Sequence, residues 1–147
     1  MKILVDADGC PVKEIVLKVA KEYKIELIMI KNICHVFEDD YAKIITVDQG
    51  RDMADLVLIN NTERGDVIVT QDYGVAALAL GKKAMAINQN GWMYTDENIE
   101  ELLMKRHVNQ EMRRKHKKYT KTPKRSKEDN LLFEKKFREL VQKFISR

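Results

Sequence analysis

Short apolar runs alternate with helical segments along the first hundred residues, and this alternation limits the folds that the chain can adopt. The run at 2–5 (KILV) ends in Asp6-Ala7-Asp8-Gly9, as a buried strand ends in a turn. Further strands are predicted at 25–30, 43–47, 67–70 and 83–87. Helices are predicted at 11–23, with Pro11 in the first position, and at 52–60, 73–80 and 95–117. Strands separated by helices favour an α/β fold with three layers, α/β/α, and a mostly parallel central sheet.

Composition excludes several other classes of protein. The chain has 147 residues, of which 44% are hydrophobic and 34% charged, as in a globular domain rather than a disordered chain. Two cysteines cannot build a disulfide framework. The weakly polar stretch at 74–81 is far shorter than the ~20 residues of a membrane span, and the N-terminus does not resemble a signal peptide. We therefore expect a cytoplasmic protein with no membrane partner.

Charge divides the chain into an acidic body and a basic tail. Residues 1–100 carry 11 of the 27 Lys and Arg but 17 of the 23 Asp and Glu, which leaves 16 basic and 6 acidic residues after position 100. Such a tail suggests a polyanion, namely RNA, as partner, although a charge run can also be an ordinary solvated helix face. The predicted nucleic-acid contacts are Arg106, Arg113, Arg114, Lys115, Lys117, Lys118, Lys124 and Arg125.

The tail also has an apolar face of its own. We expect residues 1–117 to form the α/β domain and residues 118–127 a basic linker. Residues 128–147 then form an amphipathic helix whose apolar residues recur at helical spacing, namely Phe133, Phe137, Leu140, Val141 and Phe144. This face must pack on the domain or on a second chain, so a homodimer is one possible arrangement.

Carboxylates follow three of the predicted strands. Asp6 and Asp8 follow the first, Asp52 and Asp55 lie on the helix after the third, and Asp72 follows the fourth. Parallel strands end at the same edge of a sheet, where ligand sites collect. Clustered carboxylates repel one another, so they need a cation or raised pKa values, and hard oxygen ligands suit Mg²⁺ or Mn²⁺. The competing interpretation treats each Asp as a turn residue or a helix cap.

Several motifs taken together resemble the YaiI/YqxD family, a bacterial family with no established function. The resemblance runs from Ile3 to the last helix, and two departures stand out: Asn88-Gln89-Asn90-Gly91 replaces an expected Asn-Pro-Arg-Gly, and Gly9 replaces the usual Ala. The motifs are Asp6-Ala7-Asp8-Gly9-Cys10-Pro11-Val12, Asp52-Met53-Ala54-Asp55, Thr70-Gln71-Asp72, the 88–91 turn, Tyr94-Thr95 and Asn98-Ile99.

That family in turn resembles PIN-like domains, many of which are Mg²⁺-dependent ribonucleases. The resemblance implies a PIN-like fold with a C-terminal helical extension, in which Asp6, Asp55 and Asp72 hold the metal. Asp8 and Asp52 would be additional ligands or would orient the attacking water. The implied activity is phosphodiester hydrolysis, with the basic tail contacting the RNA backbone.

Two other functions compete with a nuclease. Asp6-Ala7-Asp8-Gly9 is close to the opening motif of haloacid-dehalogenase-type phosphatases, in which Asp6 would be the nucleophile and Lys82 or Lys83 the later lysine. The acidic pair that should follow that lysine is replaced by Asn88-Gln89-Asn90. A non-catalytic RNA- or ribosome-associated protein is the other alternative, and the basic tail is its support.

Overall fold

A computed structural model describes residues 1–32, 38–48, 51–116 and 124–146, including all their side chains except those of 51, 52 and 113–116. Cys34, His35, Lys117, Lys118 and most of the expected linker lie outside these residues. The strands are β1 (Ile3–Asp6), β2 (Leu27–Asn32), β3 (Lys43–Val47), β4 (Val67–Val69), β5 (Met85–Ile87) and β6 (Met93–Tyr94). The helices are α1 (Lys13–Tyr23), α2 (Arg51–Asn60), α3 (Tyr73–Gly81), α4 (Asp96–His116) and α5 (Lys127–Ile145).

The six strands form one sheet in the order β3-β2-β1-β4-β5-β6. All neighbours are parallel except β5 and β6, which are antiparallel. Strands β1 to β5 therefore end at one common edge, here called the carboxyl edge, and begin at the opposite amino edge. Every predicted carboxylate that follows a strand is directed by this topology to the carboxyl edge.

Helices cover both faces of the sheet, because alternate strand residues point to opposite sides. Ile3 and Val5 of β1 face a cluster that includes residues of α1 and α5, whereas Leu4 faces residues of α2, α3 and α4. All three side chains are fully buried. The expected α/β/α arrangement with a mostly parallel sheet is confirmed.

The last helix packs on the domain. Phe133, Phe137 and Val141 are completely buried in the cluster on the α1 side, and the two phenylalanine rings stack with centroids 5.4 Å apart. Arg138 pairs with Glu22 of α1. A capping box, in which Ser126 and Asp129 bond to each other's backbone N–H, begins the helix. The apolar face therefore docks within the chain, and a homodimer stays a prediction.

Several details differ from the sequence-based expectation. Strand β2 covers Leu27–Asn32 rather than 25–30, and β5 covers Met85–Ile87 rather than 83–87. The first helix begins at Lys13 rather than at Pro11, because the N–H of Val16 bonds to the carbonyl of Val12, which makes Val12 the N-cap. Strand β6 was not predicted, since two residues are too few to show an alternating pattern. It forms because the 88–91 turn reverses the chain, with the Asn88 N–H donating to the Trp92 carbonyl at 2.9 Å.

No helix in the described ranges combines the length and the apolar character that crossing a membrane requires.

Candidate functional site

Asp6 is at the centre of a group of carboxylates at the carboxyl edge. It is the last residue of β1, and three acidic side chains act on it electrostatically: Asp55 of α2, Asp8 of the loop after β1, and Asp72 at the start of α3. Burial, followed by repulsion from these three groups, raises the pKa of Asp6 from 3.8 to about 7. Three of the other four predicted acidic residues are thus within electrostatic range of Asp6; the side chain of Asp52 is outside the described set.

Thr70 connects two of these acidic residues, through the carboxylate of Asp6 and the backbone of Asp72. Its buried hydroxyl group hydrogen-bonds to the carboxylate of Asp6 and accepts the backbone N–H of Asp72 at 3.0 Å. The bond to Asp6 stabilises the charged carboxylate and partly opposes the rise in its pKa. Thr70 therefore fixes the spacing between the end of β1 and the loop after β4.

Asp72 is both a helix cap and a charged group at the site. Its Oδ1 accepts the N–H groups of Gly74 at 2.8 Å and Val75 at 3.3 Å, at the N-terminus of α3. The same oxygen lies 3.5 Å from Nη1 of Arg106 on α4, and both side chains remain partly exposed. Asp72 is therefore a helix cap, as the competing interpretation predicts, and it also belongs to the acidic group around Asp6.

Asp8 is held by the neighbouring strand. The backbone N–H of Asn32, the last residue of β2, donates to its Oδ2 at 2.7 Å. The tight turn that presents Asp8 is closed by the N–H of Cys10 and the carbonyl of Ala7. Gly9 has φ +68° in this turn, a backbone conformation that favours glycine over other residues. Gly9 departs from the family pattern, but glycine is the residue that this left-handed backbone conformation favours.

A buried polar network supports the site from the β5 side. The side-chain amide of Asn88 donates to the Tyr94 hydroxyl at 2.8 Å, and that hydroxyl donates to the Thr70 carbonyl at 3.1 Å. Burial raises the pKa of Tyr94 to about 12, so the hydroxyl keeps the proton it donates. No role in a nuclease is predicted from the sequence for Thr70, Asn88 or Tyr94. Thr70 and Asn88 follow buried strands, which is the same signal that identified the aspartates.

Two of the predicted basic residues lie at this edge. Arg106 is next to Asp72, and Arg125 donates to the carbonyl of Gln89 at 2.7 Å and to Oδ1 of Asn90 at 2.9 Å. Arg125 therefore supplies a cation at the turn in which the expected arginine is replaced by Asn90. Lys124 is exposed, and the remaining predicted contacts, Arg113, Arg114, Lys115, Lys117 and Lys118, fall outside the described side chains.

The carboxylates supply hard oxygen donors, but they are not arranged as a closed cage. Among the side chains that the structure describes, no three His, Cys, Asp or Glu residues converge closely enough to hold an ion between them. Mg²⁺ commonly binds through one or two carboxylates and keeps several waters, so it does not require such a cage. The donor chemistry therefore fits Mg²⁺ or Mn²⁺ in an open site that water and substrate complete.

The lysines proposed for a phosphatase lie elsewhere. Lys82 and Lys83 precede β5 and are therefore at the amino edge, opposite Asp6. The Lys82 ammonium group donates to the carbonyls of Ile59 at 2.7 Å and Thr62 at 3.2 Å. This arrangement places neither lysine beside the proposed nucleophile.

Comparison with other proteins assigns the chain to a family. Residues 4–143 match the family described as "Uncharacterized BCR, YaiI/YqxD family". A UPF0178 protein of Alkaliphilus oremlandii is 74% identical over 134 residues, which are 91% of this chain and 86% of the relative. A UPF0178 protein of Natranaerobius thermophilus is 50% identical over 141 residues, 96% of each chain. No solved structure matches. The α/β/α fold is compatible with the expected PIN-like architecture, and the chain belongs to the YaiI/YqxD family.

Proposed function

We propose that this protein is a Mg²⁺- or Mn²⁺-dependent nuclease that hydrolyses phosphodiester bonds in RNA. The observation that carries the proposal is the position of Asp6, a largely buried carboxylate whose charge is repelled by three other carboxylates at the strand ends. A group of like charges is unfavourable unless a cation or a proton neutralises it. An open carboxylate site is the usual way in which proteins bind Mg²⁺ together with substrate phosphates.

Asp6, Asp55 and Asp72 would supply the ion's protein ligands, one or two of them directly and the rest through water, and Asp8 and Asp52 would be the additional acidic groups. When bound, such an ion lowers the pKa of water and neutralises negative charge on the phosphate. Asp8 is well suited to orient the attacking water, because its Oδ2 is fixed by the Asn32 N–H. Thr70 would hold the end of β1 beside the start of α3, through its bonds to the Asp6 carboxylate and the Asp72 N–H.

The basic residues at the same edge support a polyanionic substrate. Arg106 lies directly beside the acidic group, and Arg125 lies on the 88–91 turn. Cations next to a carboxylate site can bind the phosphates on either side of the scissile bond, without reading the sequence. The excess of Lys and Arg after residue 100 extends this positive region along the chain.

The proposal is tested by metal binding and RNA cleavage on the same variants. Calorimetric titration with Mn²⁺ is expected to show saturable binding to the native chain and a strong loss in Asp6→Asn and Asp72→Asn. Cleavage of a labelled single-stranded RNA is expected to require the ion and to fall by at least ~100-fold in both variants, since each removes a charged group from the reacting site. Asp40→Asn is the control, because Asp40 is exposed and distant from the strand ends.

The alternative of a non-catalytic RNA-binding protein is supported by the basic tail and by the lack of a closed three-ligand cage among the described side chains. It predicts salt-sensitive RNA binding with no cleavage at any metal concentration. Absence of Mn²⁺ binding up to millimolar concentration, both with and without RNA, would reject the nuclease and leave this alternative.

A further inference from the structure

A cleft opens next to Asp72, between the N-terminal end of α3 and the middle of α4. It is lined by Tyr73, Leu102, Lys105, Arg106, Asn109 and Gln110. Arg106 belongs both to this cleft and to the acidic group, since its Nη1 lies 3.5 Å from Asp72 Oδ1. Whatever occupies the cleft is therefore adjacent to the carboxyl edge.

The lining differs from the rest of the carboxyl edge in its chemistry. It contains two cations, two carboxamides, an aromatic ring and one aliphatic side chain, and no carboxylate. Lys105 and Arg106 can bind a phosphate, whereas Asn109 and Gln110 each present a donor and an acceptor. This combination matches a nucleotide, which has a charged phosphate, a flat apolar face and a hydrogen-bonding base edge.

The apolar walls of the cleft are held in place. The Tyr73 ring packs edge-to-face on Tyr94 with centroids 6.0 Å apart, and Tyr94 is anchored by its bonds to Asn88 and Thr70. Leu102 packs against the buried cluster on the α2–α3 side of the sheet. A rigid aromatic and a fixed aliphatic side chain form a suitable stacking surface for one base.

The polar side chains, in contrast, are accessible. Lys105, Asn109 and Gln110 are exposed on α4. The Arg106–Asp72 contact is long at 3.5 Å and partly exposed, so it contributes little stability and can be exchanged for a phosphate at little cost. The cleft can therefore bind a ligand without disrupting the fold.

We propose that this cleft is a nucleotide subsite, which holds one base of the substrate against Tyr73 and Leu102. Asn109 and Gln110 hydrogen-bond to the base edge, and Arg106 and Lys105 bind the phosphate of that nucleotide. The inference rests on the proposed nuclease function, because the subsite would place the neighbouring phosphodiester at the acidic group. It assigns base preference to α4, an element that supplies no metal ligand.

The test measures nucleotide binding in EDTA, so that it requires neither metal nor cleavage. The four ribonucleoside 5′-monophosphates are titrated into ¹⁵N-labelled protein, and the side-chain amide signals of Asn109 and Gln110 are followed by NMR. We expect saturable shifts of both signals, with one or two bases preferred. In Tyr73→Leu and Asn109→Ala, affinity is expected to fall about tenfold, the scale of a lost stacking or base-edge contact.

Matched controls lie on the other side of the sheet. Tyr23 and Gln142 contact each other through the Tyr23 hydroxyl at 2.8 Å, and both are remote from the cleft. Tyr23→Leu and Gln142→Ala should leave nucleotide affinity unchanged. Arg106→Gln should weaken monophosphates but not the corresponding nucleosides, which separates the phosphate contact from the base contact.

Each outcome has a defined meaning. Absence of shifts up to millimolar nucleotide, or equal binding by the Tyr73 and Asn109 variants, overturns the subsite. If RNA cleavage then still depends on Asp6, the proposed function survives without it. If nucleotide binding is lost in the cleft variants while no RNA is ever cleaved, the subsite stands and the nuclease does not.

Discussion

Asp66 and Asp6 are carboxylates at opposite edges of the same sheet, and their surroundings differ sharply. Asp66, which precedes β4 and is 3% exposed, accepts the Lys2 ammonium group at 2.7 Å, the Lys2 backbone N–H at 3.1 Å and the Glu63 N–H at 2.8 Å. Asp6, at the end of β1, has Thr70 as a hydrogen-bonding partner and three carboxylates as charged neighbours. Asp66 forms an ion pair with Lys2, whereas the charged groups that act on the pKa of Asp6 are carboxylates.

The difference distinguishes a carboxylate that forms a structural ion pair from one that the proposed function assigns to the metal site. Burial lowers the pKa of Lys2, but the hydrogen bond and charge of Asp66, with a contribution from Glu63, outweigh it and raise that pKa overall. The amino edge is therefore electrostatically complete. At the carboxyl edge three carboxylates repel the charge on Asp6 while Arg106 pairs with Asp72, so a proton or a bound cation would lower the remaining repulsion, as expected of a binding site.

The largest effect is expected when the complete pair at the amino edge is broken. Asp66→Ala leaves the Lys2 ammonium group largely buried without its main partner and leaves two backbone N–H groups unsatisfied. We expect the free energy of unfolding to fall by about 3–5 kcal/mol, as for other buried pairs that lose one partner. Urea unfolding followed by circular dichroism measures it.

Glu63→Ala is the matched control for this variant. Glu63 also pairs with Lys2, at 3.3 Å, but its side chain is 82% exposed, so its loss should change stability by less than ~0.5 kcal/mol. Equal, small losses of stability in both variants would mean that the Asp66–Lys2 ion pair does not stabilise the fold.

Substitution of Asp6, in contrast, is expected to raise the free energy of unfolding. Because the pKa of Asp6 rises from 3.8 in the unfolded chain to about 7 in the folded one, the folded state retains a proton that the unfolded state releases between these values. Stability without metal therefore decreases as pH rises from about 4 to 7. Asp6→Asn removes this penalty, so we expect it to stabilise the metal-free protein at pH 8 by about 2–4 kcal/mol, at ~1.4 kcal/mol per pKa unit.

The measurement is the pH dependence of urea unfolding in EDTA, with native chain and Asp6→Asn compared from pH 4.5 to 8. The two curves should converge at low pH and separate as pH rises. Parallel curves, or a variant less stable at pH 8, would show that Asp6 is as well compensated as Asp66.

The sequence predicts features that depend on neighbouring residues, but not contacts between residues that are far apart in the chain. The apolar runs and the carboxylates after them predict the sheet and the acidic edge, because period and strand polarity are local properties. The partner of Asp66 is Lys2, 64 residues away, so the sequence identifies Asp66 only as a turn residue. Tyr94, Asn88 and Thr70 meet for the same reason only when β6 returns beside β5. Two-residue β6 itself carries no readable pattern.

Divalent metal is expected to reverse the Asp6 penalty by replacing the proton. Mg²⁺ at about 100 times its dissociation constant should raise the stability of the native chain by up to ~2.7 kcal/mol at pH 8. The gain should shrink at pH 5, where protons compete for Asp6, and should be largely lost in Asp6→Asn. Thermal melts with and without Mg²⁺ measure it, and an equal gain in Asp6→Asn would remove Asp6 from the site.

The smallest effect on stability is expected for a substitution at Asp72. This substitution best distinguishes a structural carboxylate such as Asp66 from a carboxylate of the proposed site such as Asp6. Asparagine caps helices about as well as aspartate, so Asp72→Asn should keep the bonds to the N–H groups of Gly74 and Val75 and change unfolding by less than ~0.5 kcal/mol. It removes the charge that acts on Asp6 and on the proposed ion.

Urea unfolding and RNA cleavage, measured on the same preparation, compare the role of Asp72 as a helix cap with its role at the metal site. If the variant is as stable as the native chain but no longer cleaves RNA, Asp72 belongs to the reacting site with Asp6. A structural carboxylate such as Asp66 would instead lower the free energy of unfolding when substituted. If stability falls and cleavage persists, Asp72 is a cap alone, and the acidic group shrinks to Asp6, Asp8 and Asp55.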